Sequence, residues 1–226
     1  MPNLLSKFKD LCTSNVILPD SNEITISKLN VNFQTKLHNH FTNISEDTEN
    51  VDNVFILEYI KFINKYIIEL HSERTFTYRD KLFLLDFWKK DVESSDEPSN
   101  VLEDLKCIDK LNEMKLKLQS SNIQLIIQFK QPTLEEENKI LTFLLEDNDN
   151  EKTDMDVVFF DIFRFLRAIH IDKHEYLIDN ISIQELHKLF LLFDVQTLRE
   201  IAKTLAETLE KVTTLRLLEA DYASFY

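Results

Sequence analysis

His170 and His174, four residues apart with Asp172 and Glu175 nearby, are the first place to look for chemistry in this chain. On a helix that offset brings two imidazoles to one face, the raw material of a metal or general-base site. No glutamate stands between them as in the zinc peptidases, however, and the segment reads as the end of a helix. His38 and His40, two apart, share a face only on a strand, and their surroundings read as helix. Asp147-x-Asp149-x-Glu151 opens with the spacing of a calcium loop, but Lys152 stands where glycine is required and Val158 where a bidentate glutamate is required. A solvated acidic turn is the better reading. Cys107 has Lys106 beside it, which alone does not make a reactive thiolate, and it reads as a packed neutral thiol. Arg164 and Arg167, one helical turn apart, are the most basic spot of the C-terminal half and suit a phosphate or an acidic partner. Asp161, three residues before Arg164, offers that arginine an internal ion pair instead. No catalytic residue, metal ligand or cofactor is therefore expected.

Composition narrows the classes further. The 226 residues contain no glycine, where average usage of roughly 7% would supply about sixteen. Phosphate-cradling loops, the dinucleotide fingerprint, the nucleophile elbow and the calcium loop all need glycine where backbone approaches a ligand or takes positive φ, so none can be built here in its usual form. A net charge of −14 repels phosphate backbones and anionic lipid headgroups, which argues against nucleic acid and membrane as partners. With 17 Phe, 6 Tyr and one Trp the chain has ample bulk for a core. Cys12 and Cys107 are too few for a disulfide framework, and neither a secretory leader nor an apolar run long enough to cross a bilayer is seen. A cytosolic site of synthesis is expected.

The elements that would position these groups follow from periodicity. Asn15–Leu18 and Glu23–Ile26 flank Pro19-Asp-Ser-Asn22, which predicts a hairpin whose turn uses Asp and Asn in place of glycine. Asn30 caps a predicted helix carrying Val31, Gln34, Leu37, His38 and Phe41 on one face. Val54–Leu70 and the segment from Thr77, with Thr77 and Asp80 as a capping pair, predict two helices that pack together. Asp91–Asn100 is acidic, serine-rich and contains Pro98, and marks a candidate linker. Alternation at Met114, Leu116 and Leu118 and again at Ile123, Leu125, Ile127 and Phe129 predicts a second hairpin, followed by a helix boxed by Thr133 and Glu136. Beyond it the chain reads as helix throughout: Leu134–Leu145, an aromatic Val157–Ile169, one boxed by Ser182 and Glu185, and a last one from Val195 to Tyr222. The expected fold is α+β, mostly helical, with two small hairpins, organised either as one domain or as units spanning 1–92 and 93–226.

The C-terminus is the most suggestive surface. Leu215, Leu218, Tyr222, Phe225 and Tyr226 either dock on the chain's own core or fill a partner's groove, and these five are the candidate partner-binding residues.

Four stretches also follow one another as in a known family. Val16–Ile26 running into Lys28–Leu37, then Thr77–Trp88, Ile123–Leu134 and Phe160–Ile169, resemble the opening hairpin and helix, the middle helix, the strand with a Pro-Thr helix start, and the late aromatic helix of baseplate proteins from T-even-type contractile-tailed phages. The resemblance covers most of the chain and carries over no functional residue. It implies a non-enzymatic baseplate hub component or assembly factor that binds other hub or tail proteins through apolar helical surfaces, with self-association left open. Such a protein acts in the host cytoplasm during assembly, and its retention in the virion is left open. Two readings stay beside it: a cellular helical adaptor, and a metal-dependent enzyme using His170 and His174.

Overall fold

The computed structural model describes residues 13–27, 35–36, 51–71, 73–93, 101–120, 123–146 and 153–212. The helix expected after Asn30 with His38 and His40, most of the acidic linker, the Asp147–Glu151 turn and all five candidate residues from Leu215 onward lie outside these, apart from Thr35 and Lys36, which are helical.

Strands β1 (Thr13–Ile17) and β2 (Glu23–Ser27) pair antiparallel as expected. The residue with positive φ in their turn is Ser21, at 69°, and not the neighbouring Asp20 or Asn22. Asp20 instead accepts the Asn22 N–H at 3.1 Å, so its side chain closes the turn while serine carries the left-handed backbone. Arg74 donates to Asp20 at 2.6 Å and ties this turn to the connection between the next two helices.

Those helices are α1 (Val51–Leu70) and α2 (Tyr78–Glu93), followed by two single-turn helices, α3 (Val101–Asp104) and α4 (Lys106–Asp109). The Thr77–Asp80 box closes at the start of α2: Asp80 N–H donates to the Thr77 hydroxyl and Thr77 N–H to the Asp80 carboxylate. Next come β3 (Lys115–Ser120) and β4 (Ile123–Phe129), the expected second hairpin, and α5 (Leu134–Glu146), opened by the Thr133–Glu136 box.

Here the fold departs from expectation. The aromatic helix α6 (Asp154–Phe163) stops six residues early, and Leu166–Ile171 is a strand, β5, pairing with β4. A tight turn with Asp172 at φ 53° leads into β6 (His174–Leu177). The second hairpin is thus half of a four-stranded antiparallel sheet in the order β3-β4-β5-β6. Leu166–Ile171 holds too many apolar residues to show a period, and the need of β4 for a hydrogen-bonded neighbour decides it. Leu116, Ile127, Ile169 and Tyr176 form one cross-strand row, and Leu118, Leu125, Ile171 and His174 the next row on the same face.

Helices α7 (Ile183–Leu192) and α8 (Val195–Thr208) complete the described chain. Ile201, Leu205, Leu209 and Val212 form a buried apolar seam along α8 and the turn after it, where the α-helix ends at Thr208 and tightens into a 3₁₀ turn over Glu210–Val212. Thr208 turns its hydroxyl back to the Thr204 carbonyl at 2.8 Å, which satisfies a polar group on an otherwise apolar seam. One apolar cluster runs from Val16 to Val212 and draws on residues either side of the expected linker, with α1 laid against α5.

Candidate functional site

Among the described residues, the features that depart furthest from an ordinary globular surface are apolar side chains left in water. α7 is fixed by its Ser182–Glu185 box and by its inner face. There Leu186 and Phe190 are buried, the Phe190 ring lies 5.4 Å from Phe159 and 5.9 Å from Phe163, and His187 meets Phe143 and Phe159 edge to face. With that face turned inward, the end of α7 leaves apolar side chains exposed on its other side. Leu191 is 64% exposed, Leu192 81%, and Val195, at the start of α8, 66%.

Only Phe193 and Asp194 separate the two helices, so the three aliphatic side chains share one corner. Asp194 is the one charged residue from Leu189 to Val195 and is occupied: its carboxylate caps α8 by accepting the Thr197 N–H at 2.8 Å and hydroxyl at 2.9 Å. These hydrogen bonds hold Asp194 below the usual carboxylate range. The corner therefore offers hydrocarbon to solvent with its acid already engaged. A smaller apolar margin lies on the sheet, where Ile171, Tyr176 and Leu177 are exposed around the last strand. The sequence signal for the corner was available: Leu189-Phe-Leu-Leu-Phe193 outruns the one-sided spacing of a surface helix, and Asp194-x-x-Thr197 is a cap that forces the turn.

The groups first singled out for chemistry are dispersed. His170 and His174 do not share a helix face; they sit on β5 and β6. His174 is registered opposite Ile171, and His170 opposite Glu175, which places the two imidazoles on opposite faces of the sheet. His170 lies 2.7 Å from the Gln128 amide nitrogen and 3.4 Å from Glu175. No group of three or more metal-ligating side chains is found among the described residues. Cys107 is buried, and burial followed by the nearby Asp104 charge pushes its thiol up, in keeping with a packed, protonated sulfur. Arg164 makes the expected pair with Asp161 at 2.9 Å and is itself buried, whereas Arg167 is exposed, so the two do not form a common basic patch.

A cleft of about 170 Å³ between α5, the end of α6 and α7 is lined chiefly by Ile140, Phe163, Leu166, Ile178 and Leu186. At it Lys130 bonds to Glu136 at 2.6 Å and Asp179 at 2.7 Å. Burial works to lower the Lys130 pKa, but its hydrogen bonds to Asp179 and Glu136 prevail and hold the ammonium above its ordinary range. A lysine kept protonated in this way braces three segments and is poorly suited to act as a base.

Against family models, curated proteins and solved structures, the chain gives no match. The functional reading therefore rests on the surface just described and on the sequence resemblance. No helix among the described residues is long and apolar enough to cross a membrane.

Proposed function

We propose that this protein is a non-enzymatic assembly component that works by covering, and being covered by, apolar surface of other proteins. Leu191, Leu192 and Val195 at the α7–α8 corner carry this reading, because exposed aliphatic side chains gathered at a helix turn closed by the Asp194 cap are what a protein interface uses at its centre. The resemblance to T-even-type baseplate proteins supplies the setting: the hub of a contractile phage tail, either as one of its parts or as a factor that holds a hub protein until the assembly closes. The net charge of −14 keeps the free protein soluble and favours partners whose contact surface is basic at its rim.

The test is reconstitution. The chain is co-expressed with hub and tail proteins of a T-even-type contractile-tailed phage, and complexes are separated by size exclusion. Co-elution with a hub protein, lost in Leu191→Asp/Leu192→Asp while that variant keeps the parent melting temperature, supports the reading. Failure to co-elute with any of them, or binding indifferent to the double substitution, removes it.

A further inference from the structure

The starts of α2 and α5 are built alike and face each other. Thr77 and Thr133 form an antiparallel bridge; Tyr78 N–H donates to the Pro132 carbonyl at 3.0 Å, and Leu134 N–H donates to the Phe76 carbonyl at 2.9 Å. Each threonine caps its own helix through a box with the acid three residues on, Asp80 in one case and Glu136 in the other. The backbone around the bridge therefore has a local two-fold axis. The residues one further along, Lys81 and Glu137, occupy matching positions 56 residues apart and meet at 2.6 Å with no exposed surface on either side chain.

Lys81 and Glu137 differ in charge sign, as the half-buried Arg79 and Glu135 two residues earlier also do, but they are the fully enclosed pair, and the rest of the pocket is arranged around them. Glu137 Oε2 accepts from Lys81 Nζ and, at 2.9 Å, from the Asn64 amide on α1. Its Oε1 accepts from an Arg164 Nη at 3.2 Å. Arg164 in turn lies over the rings of Tyr78, Phe160 and Phe165, each within 5 Å of the guanidinium carbon. Asn64 uses only its nitrogen here. Its Oδ1 is buried with no hydrogen-bond partner, an expense that hydrocarbon of the same size would avoid.

We propose that this cluster is a register key joining the two parts of the chain. A single bridge contributes two backbone hydrogen bonds and tolerates a slip, and apolar packing is permissive about which methyl meets which. A buried carboxylate is not: moving α5 by one residue against α2 would take Glu137 from its donors and leave Lys81 without it in the interior. A buried ionic group contributes little net stability over hydrocarbon, and setting register is its best-attested use. The key also makes α1–α2 and the α5–β5 region open together, since neither can move off the other without exposing the same charges.

Two full-length variants test this by native-state hydrogen exchange and two-dimensional NMR. In Asn64→Leu/Lys81→Met/Glu137→Leu the polar trio is replaced by hydrocarbon of similar volume. Arg164 keeps Asp161 at 2.9 Å, so the variant is expected to fold, and to show more than one resonance for amides of α1, α2 and α5 and separate slow openings for α1–α2 and for α5–β5. In Glu137→Gln the midpoint is expected to fall by about 10 °C, with unequal loss of protection in the two regions. If the triple variant keeps one sharp set of resonances and a common opening, the key is refuted. If the triple variant does not fold, Glu137→Gln decides: protection lost by one uniform factor across both regions marks a merely stabilising contact and overturns the proposal.

Discussion

Glu137 on α5 and Leu192 on α7, helices that touch through Phe143 and His187, reverse the usual placement of their kinds. The carboxylate is wholly enclosed, with three donors from α1, α2 and the residue after α6 converging on its two oxygens. The leucine leaves 81% of its surface in water, at a helix end whose inner face is already filled by Phe190. Residue type alone fixes neither outcome. A charge goes inside when donors from other elements converge on its oxygens, and hydrocarbon stays outside when a second residue on the same helix has taken the place in the core. One region spends polar groups to define how the chain meets itself, and the other leaves apolar groups over for something else to meet.

The sharpest way to break this contrast is Arg164→Leu. It removes one of the two cations on Glu137, and loss of one partner from a buried pair costs about 3–5 kcal/mol. A fall in melting midpoint on the order of 10 °C is expected by calorimetry. A fall of under about 2 °C would mean that the enclosed cluster matters no more than a surface pair. Leu191→Asp/Leu192→Asp addresses the other region. Stability should stay within about 0.5 kcal/mol of the parent because neither side chain is in the core, while co-elution with a hub partner is abolished. A large loss of stability would instead assign those leucines to the chain's own packing.

Acid gives a smaller effect, at a site between these extremes. Burial works to raise the Asp20 pKa, but its bonds from Arg74 and Asn22 prevail and hold it below the ordinary value of 3.8. A depressed carboxylate contributes its stability above the unfolded pKa and loses it as pH falls through the folded one. The tie between the β1–β2 turn and Arg74 is therefore expected to be intact at pH 6, to begin weakening only as pH falls past the ordinary value of 3.8, and to be released below the still lower folded value. Amide exchange of Ser21–Ile24 across that range measures it, and unchanged protection at pH 2 would count against the tie. The smallest effect belongs to Lys203→Ala. Its pairing with Glu207 spans 3.9 Å between two side chains mostly in solvent, so the expected change in unfolding free energy is within about 0.5 kcal/mol.

What could be read in advance divides along physical lines. Helix starts were legible because a capping box is local: Thr77–Asp80, Thr133–Glu136 and Ser182–Glu185 were each expected from residue spacing, and each closes. The Arg164–Asp161 pair was legible for the same reason, being three residues apart. Glu137 was not, since its donors come from 27 to 73 residues away and nothing in the neighbourhood of any one of them marks it. β5 was missed because Leu166–Ile171 continues an aromatic helix in composition, and only the open edge of β4 makes it a strand. That error carried the histidines with it, because a four-residue offset means one face on a helix and opposite faces across this tight hairpin.

The sheet ends at β6 in four exposed residues, His174-Glu-Tyr-Leu177, with Glu175 as its sole acid and neither lysine nor proline among them. Such residues are the usual guards of a sheet's rim. With only Glu175 and the shortness of the strand as guards, this border is where strand-to-strand stacking of concentrated protein should begin, and Tyr176→Lys is the simplest remedy for handling it.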